Sequence, residues 1–413
     1  MVNKLNTQQK LHFVPLFITL QALVFSPAVV SIGLTTMLLS ILADVWLGHF
    51  SKARFQPVVI ILAILFGMLL LEVFRGDFDQ LSKEWLLKLP LLIVPIYMLR
   101  FKNTSYQSRE FHFIILSFVI TITAVAVVSV VSYFLHFEQI NEQLLHSKHI
   151  PILAKVHHIY FGITLAVTCW TSAYFSRRSS YTALWIVLLI IQIICLHILV
   201  SRTGLLSFYA SGFAILFWYI FKTGRVKVVG VSVLIFSGLV LLFYQFSPGF
   251  QNKFTNTKED FNATLSGQDI NYKSMAMRIE AYKTTWHFAR ENWIFGVGSV
   301  GFEQALQKQY EDDNTTLYPE NRIGPHNQFL ESFAKHGFVA PLLLLILCVI
   351  GLVKGWNNSY LLAITVVFAT SFLLESVLER QMGMVLFGVF LLLGFNDKPD
   401  KIGKKFTDIK INR

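Results

Sequence analysis

The chain has 413 residues, 54% of them hydrophobic and only 14% charged, with a mean hydropathy of +0.56. Soluble domains carry about 25% charged residues, so this composition excludes an ordinary soluble enzyme and places the chain in the membrane class. A net charge of +11 would suit a nucleic-acid binder, but the placement of the charge points to no nucleic acid and to a lipid bilayer instead.

Hydropathy predicts an all-α polytopic membrane protein of about twelve transmembrane helices, each near the ~20 apolar residues that a bilayer core requires. They fall at about 11–25, 27–48, 57–74, 84–99, 111–135, 157–175, 181–200, 203–221, 227–246, 338–353, 358–375 and 382–395. Only Ser26-Pro27 separates the first two, and the fourth carries Lys88 and Pro90, so tilted or broken helices are the alternative there. The expected layout is nine spans over 1–246, an outer domain over 247–337, three spans over 338–395 and a basic tail over 396–413. With the N-terminus inside, nineteen of the 35 Lys and Arg residues lie in cytoplasmic segments. Among these are Lys4, Lys10, Lys52, Arg54, Lys102, Arg177, Arg178, Lys222 and the tail. Seven lie in short outer segments (Arg75, Lys83, Lys88, Lys148, Lys155, Arg202 and Arg380), and the rest are in the long loop, which the positive-inside rule does not count. Both termini are therefore expected in the cytoplasm and the long loop outside.

The first apolar run continues into a second without a small-residue cleavage pattern, so no cleavable signal peptide is expected. Cys169, Cys195 and Cys348 fall inside apolar spans without metal-site spacing and read as small hydrophobes. No fixed-period repeat or inverted half of the kind many transporters carry is visible.

In the outer domain, Met275, Ile279, Tyr282, Trp286, Ala289 and Trp293 recur at helical steps and predict an amphipathic helix with Arg278 beside the stripe. A glycine-rich turn follows, then a short helix through Phe302, Ala305, Leu306 and Tyr310, then an acidic loop over 311–324. A last helix is predicted to start at Pro325, with Phe329, Leu330, Phe333 and Ala334 as its apolar side, and to stop near Gly337. Gly296-Val297-Gly298-Ser299-Val300-Gly301 matches the dinucleotide fingerprint, but it follows a helix and has no βαβ unit around it. A turn between helices is expected there, its N–H groups open to a phosphate.

The polar residues expected at the outer face are few. His326, placed just after Pro325 in the first helical turn, would meet the positive end of the dipole, which favours the neutral imidazole of a general base; the alternative is a histidine that caps or packs the helix start. Arg202 sits between two apolar runs with almost no loop around it, flanked by Ser201, Thr203 and Gly204. It reads either as an interfacial anchor or as a guanidinium fork for phosphate oxygens. Ser201 and Thr203 would add hydroxyl donors, and Gly204 would admit a close backbone. Arg278 carries the same two readings, a solvated helix face or a second phosphate clamp. His157-His158-Ile159-Tyr160 opens a span; adjacent histidines on a helix diverge and no carboxylate stands at ligand spacing, so a polar wall or interfacial anchor is expected and no metal. Glu375 and Glu379, one turn apart beside Arg380, read as a proton relay or as a pair orienting Arg202 or Arg278. Glu311, Asp312 and Asp313 read as a solvated run.

Taken in order, Ser201-Arg202-Thr203-Gly204 at the head of a span, Arg278 followed by Trp286 and the Gly296 turn, and Pro325-His326-Asn327 followed by Gly337 resemble the O-antigen ligase and polymerase superfamily of bacterial envelope glycan enzymes. The resemblance covers about 155–395 and rests on the ordered set, since no single motif is specific. It implies a GT-C-like glycosyltransferase architecture and metal-independent, inverting transfer from an undecaprenyl-diphosphate-linked glycan at the periplasmic face of the inner membrane, with no cofactor. Arg202 and Arg278 would hold the diphosphate and His326 would activate the acceptor hydroxyl, with Ser201, Thr203, His158, Tyr160, Asn327 and Glu379 in support. Ligases use the lipid A core as acceptor, polymerases a growing glycan and relatives a protein; one large late loop favours the ligase. A lipid-linked sugar transporter or flippase is the competing class, for which Gln192 and His197 are the few strongly polar side chains well within spans.

Overall fold

The computed structural model describes residues 13–47, 56–74, 78–101, 108–145, 149–246 and 248–397. The basic tail, Lys4, Lys10, Lys52, Arg54, Lys102, Arg75 and Lys148 lie outside the described residues, as does the start of the first predicted span. The described residues contain helices and no strand.

Eleven helices come first among the described residues, most of them apolar: α1 (Val14–Ala22), α2 (Pro27–Trp46), α3 (Pro57–Leu71), the more polar α4 (Phe78–Lys88), α5 (Pro90–Leu99), α6 (Arg109–Leu135), the short polar α7 (Phe137–Leu145), α8 (His158–Phe175), α9 (Thr182–Ile198), α10 (Arg202–Thr223) and α11 (Val226–Phe246). Four polar helices follow, α12 (Pro248–Ser266), α13 (Ser274–Glu291), α14 (Phe302–Asp312) and α15 (Gln328–His336). The chain then returns through α16 (Val339–Gly355), α17 (Ser359–Leu374) and α18 (Gln381–Phe395). Five helices are long and apolar enough to cross a membrane, α2, α3 with its 3-10 extension to Phe74, α6, α10 and α11; α9, α16, α17 and α18 are shorter apolar helices. The predicted span at 84–99 breaks into α4 and α5 at Pro90, whose ring cannot donate to the preceding turn. The polar helix α12 carries no apolar period, and sequence reading assigned it no element.

The bundle centres on α8, buried along almost its whole length, with α9, α10, α17 and α18 packed around it. Gly162 and Gly204 let α8 and α10 meet backbone to backbone: a Cβ on Gly204 would stand 2.6 Å from the Gly162 carbonyl, so the expected close approach at Gly204 is realised. Peripheral helices show the opposite pattern. On α11 only Val229 is buried, and Leu234 and Leu241 are 72% and 67% exposed, as side chains facing lipid would be. Gln192 and His197 are satisfied inside the bundle, Gln192 donating to Thr123 at 2.9 Å and His197 meeting the Ile193 carbonyl at 2.7 Å and Tyr209 at 2.6 Å. They form local packing contacts of the kind that favours no pathway through the bundle. All three cysteines are buried and free.

A second, smaller core joins α13, α14 and α15 through Ala281, Phe288, Phe302, Leu306, Tyr310 and Ala334. The buried face of α13 is Ala281, Thr284, Thr285, Phe288 and Ala289, whereas Trp286 of the predicted stripe is 51% exposed. On α15 the buried side chains include Gln328, Glu331, Ser332 and Lys335; polar groups occupy the inside because each finds a partner there. The glycine-rich turn caps the end of α15: Val297 and Gly298 N–H donate to the Ala334 and Lys335 carbonyls at 2.9 Å each. A Cβ on Gly296 (φ +66°) would lie 2.3 Å from the Lys335 carbonyl carbon. Ser299 N–H and hydroxyl face Glu72 at 2.9 and 3.3 Å, so the donors expected for a phosphate meet a carboxylate.

Candidate functional site

The site forms where the polar helices meet the end of α17. A helix leaves its last carbonyls without intrahelical partners, and here residues of α13 and of the segment before α15 supply them. Arg278 Nη1 donates to the Leu374 carbonyl at 2.6 Å, while Tyr282 and Asn327 donate to the Leu373 carbonyl at 3.3 Å each. A guanidinium also suits the negative end of the helix dipole. Arg278 is thus 17% exposed and no solvated face residue, and its second nitrogen, Nη2, lies 3.5 Å from Glu375 Oε2.

His326 meets the other oxygen of the same carboxylate, Nδ1 to Glu375 Oε1 at 2.8 Å. An ionised carboxylate only accepts, so Nδ1 carries a proton, and in the neutral ring Nε2 is the nitrogen with the lone pair. The helix was expected to start at Pro325; it starts at Gln328, because Asn327 is the N-cap and its side chain accepts from Leu330 N–H at 3.0 Å. His326 therefore stands outside the helix, with a left-handed φ of +45°. The expected dipole argument for a neutral imidazole does not apply, and neither does a capping role for the histidine. Its ring is set instead by Glu375, and its side chain is 30% exposed.

Arg202 opens α10 on the same side, close enough to Asp260 of α12 and to Arg278 for their charges to bear on it. Ser201 and Thr203 beside it are buried, and the Ser201 hydroxyl has no hydrogen-bond partner among the described residues. Tyr160 is turned to structural use, donating to the Ser376 carbonyl at 3.0 Å and so fixing the turn that carries Glu375. His157 is near enough for the charges of Glu375, His326, Arg380 and Arg278 to reach it. His158 instead stacks on His149, ring centroids 3.6 Å apart.

Glu379 is drawn away from His326. It pairs with Lys88 and Lys335 at 2.7 Å each. Glu331 meets Lys335 at 2.6 Å and accepts a short hydrogen bond from the Ser376 hydroxyl. Burial alone would lower the Lys335 ammonium, but Glu379 and Glu331 outweigh it and hold it above the ordinary range. Asp313 of the acidic run meets His287 at 3.0 Å.

Structure thus brings His326, Arg278 and Glu375 into direct contact and sets Arg202 and His157 nearby. Sequence reading had proposed Glu375 only as relay or orienting group; the second of those readings is the one its contact with Arg278 matches. Its contact with His326 had no signal in the spacing, since 49 residues separate the two.

Comparison with known proteins bears on the same region. A 271-residue stretch is 23% identical to an uncharacterized protein of Haemophilus influenzae, and the match covers 65% of this chain and 65% of that protein, just under two thirds of its length. A family model described as O-Antigen ligase matches residues 187–347. The matched segment is the one that holds Arg202, Arg278 and His326, and it is similar to the O-antigen ligase family.

Proposed function

We propose that this protein transfers a glycan from undecaprenyl diphosphate to an acceptor hydroxyl, that of the lipid A core, at the periplasmic face of the inner membrane. The single observation that carries the reading is the Glu375 carboxylate shared between His326 at 2.8 Å and Arg278 at 3.5 Å. One carboxylate thereby orients a base and a cation together.

In this mechanism the acceptor hydroxyl gives its proton to His326 Nε2 as its oxygen attacks the anomeric carbon. The bond from that carbon to the phosphate oxygen breaks on the opposite face, so configuration inverts, and the diphosphate leaves with the electron pair. Arg202 and Arg278 take up the charge it gains, the electrostatic work that a metal ion does in other glycosyl transfers. Arg278 already spends two nitrogens on Leu374 and Glu375, but a guanidinium has five N–H donors. Glu375 keeps the proton on Nδ1 and stabilises the imidazolium once formed, as a triad carboxylate does. The outer-face positions, both cytoplasmic termini and the domain boundaries at 246, 337 and 395 belong to the same proposal and rest on the distribution of basic residues.

A deletion strain tests it. The expected result is glycan accumulating on undecaprenyl diphosphate, with lipid A core lacking it. Normal core-linked glycan in that strain would overturn the ligase reading, and loss of chain length alone would assign the protein to the polymerases.

A further inference from the structure

Three imidazoles meet beside the site, from two parts of the chain. His149 lies ahead of the connection to α8, His157 is the α8 N-cap, and His158 is its first residue. Neighbouring histidines diverge only where both are helical. His157 is extended instead (φ −67°, ψ 138°), so its ring comes within 4.4 Å of that of His158. Each histidine offers one ring nitrogen such that all three lie within 4.8 Å of one another.

The connection holding His149 is anchored. Ile150 is 2% exposed in the main core, Leu153 N–H donates to Ser129 Oγ at 3.0 Å, and Lys155 N–H donates to the Val24 carbonyl at 3.0 Å. The histidines therefore gather on a fixed scaffold. His149 and His157 are exposed, and small ring rotations would close a coordination sphere with bonds of about 2.0–2.1 Å.

We propose that His149, His157 and His158 bind one divalent transition-metal ion of the zinc class, with a fourth position open to water or an anion. Three neutral imidazoles suit zinc, copper or nickel rather than magnesium or calcium, which take oxygen. With no carboxylate in the set, the bound ion keeps its full double charge, which favours an anion in the open position. The site lies beside the transfer machinery and stands independently of it: His326, Arg202 and Arg278 supply the proposed chemistry without the ion.

The test is metal titration of the full-length protein in detergent, produced without a polyhistidine tag and stripped with chelator. Zn²⁺ is expected to bind at one equivalent, and Co²⁺ in its place to give a visible ligand-field spectrum. His149→Ala and His158→Ala should each weaken binding by more than the ~10–100-fold that outer-sphere changes cost. His149→Ala is on an exposed position and keeps the test decisive if His158→Ala misfolds. Stripping the metal, or His149→Ala, should leave glycan transfer intact. No stoichiometric binding to the wild type, or binding unchanged in the His149→Ala protein, would overturn the proposal whatever the outcome of the transfer assays.

Discussion

Glu375 and Glu379 stand four residues apart in one turn between α17 and α18, yet their surroundings differ in kind. Glu375 holds a histidine that is 30% exposed and an arginine that is 17% exposed. Glu379 lies between two lysines that are 5% and 9% exposed. The first cluster keeps a lone pair and spare N–H donors at its edge. The second spends its charges on one another and joins α4, α15 and the turn into one body. Both are built from acidic and basic side chains at the same end of the bundle, so composition does not separate a reactive site from a structural clasp. What separates them is whether any capacity to bond is left over.

The largest effect expected from breaking this contrast is on stability. Glu379→Ala strands Lys88 as a buried cation and leaves Lys335 with Glu331 alone, a change of a kind that typically costs about 3–5 kcal/mol. Thermal unfolding in detergent should show a clear drop in Tm, and proteolysis should release the outer helices first. A variant as stable as the wild type would mean that the clasp holds nothing.

Next is the electrostatic clamp. Arg202→Ala and Arg278→Ala should each lower turnover on the order of 10²–10³-fold and weaken donor binding, since the diphosphate is held in both ground and transition states. Lysine at either position should rescue only in part, because a point charge lacks the planar fork. Full activity in Arg278→Ala would reduce that residue to a cap on α17.

Glu375→Gln comes third, with a fall in transfer of roughly 10²-fold, because an amide can donate to Nδ1 and favour the wrong tautomer. Its stability should change far less than that of Glu379→Ala, and the two variants together separate the clusters. The smallest effect is expected from Tyr160→Phe, which loses one hydrogen bond to Ser376, worth about 1 kcal/mol, and leaves transfer near normal. A collapse of turnover in Tyr160→Phe would place its hydroxyl in the chemistry.

The same comparison shows where sequence was legible. Apolar runs marked most of the bundle, because each span must satisfy its own backbone and so carries its signal locally. Ser201-Arg202-Thr203-Gly204 and His326 were visible because strongly polar residues at the ends of apolar runs are few. The inside of α15 was legible only in part: Phe329, Leu330, Phe333 and Ala334 were read as its apolar side and Ala334 is buried, but so are Glu331 and Lys335. Their partners Lys88 and Glu379 come from distant parts of the chain, and helical periodicity sees only the helix itself. His149 was overlooked for the same reason, eight residues before His157 with a connection between them.

His326→Ala, assayed for donor binding and for transfer in the same preparation, addresses the base assignment most directly. Loss of a general base costs on the order of 10²–10⁴-fold in rate while leaving donor affinity largely intact. The expected protein is folded, binds undecaprenyl diphosphate about as well as wild type and transfers almost no glycan. Near-normal transfer by the folded variant would contradict the account and reduce His326 to a structural partner of Glu375.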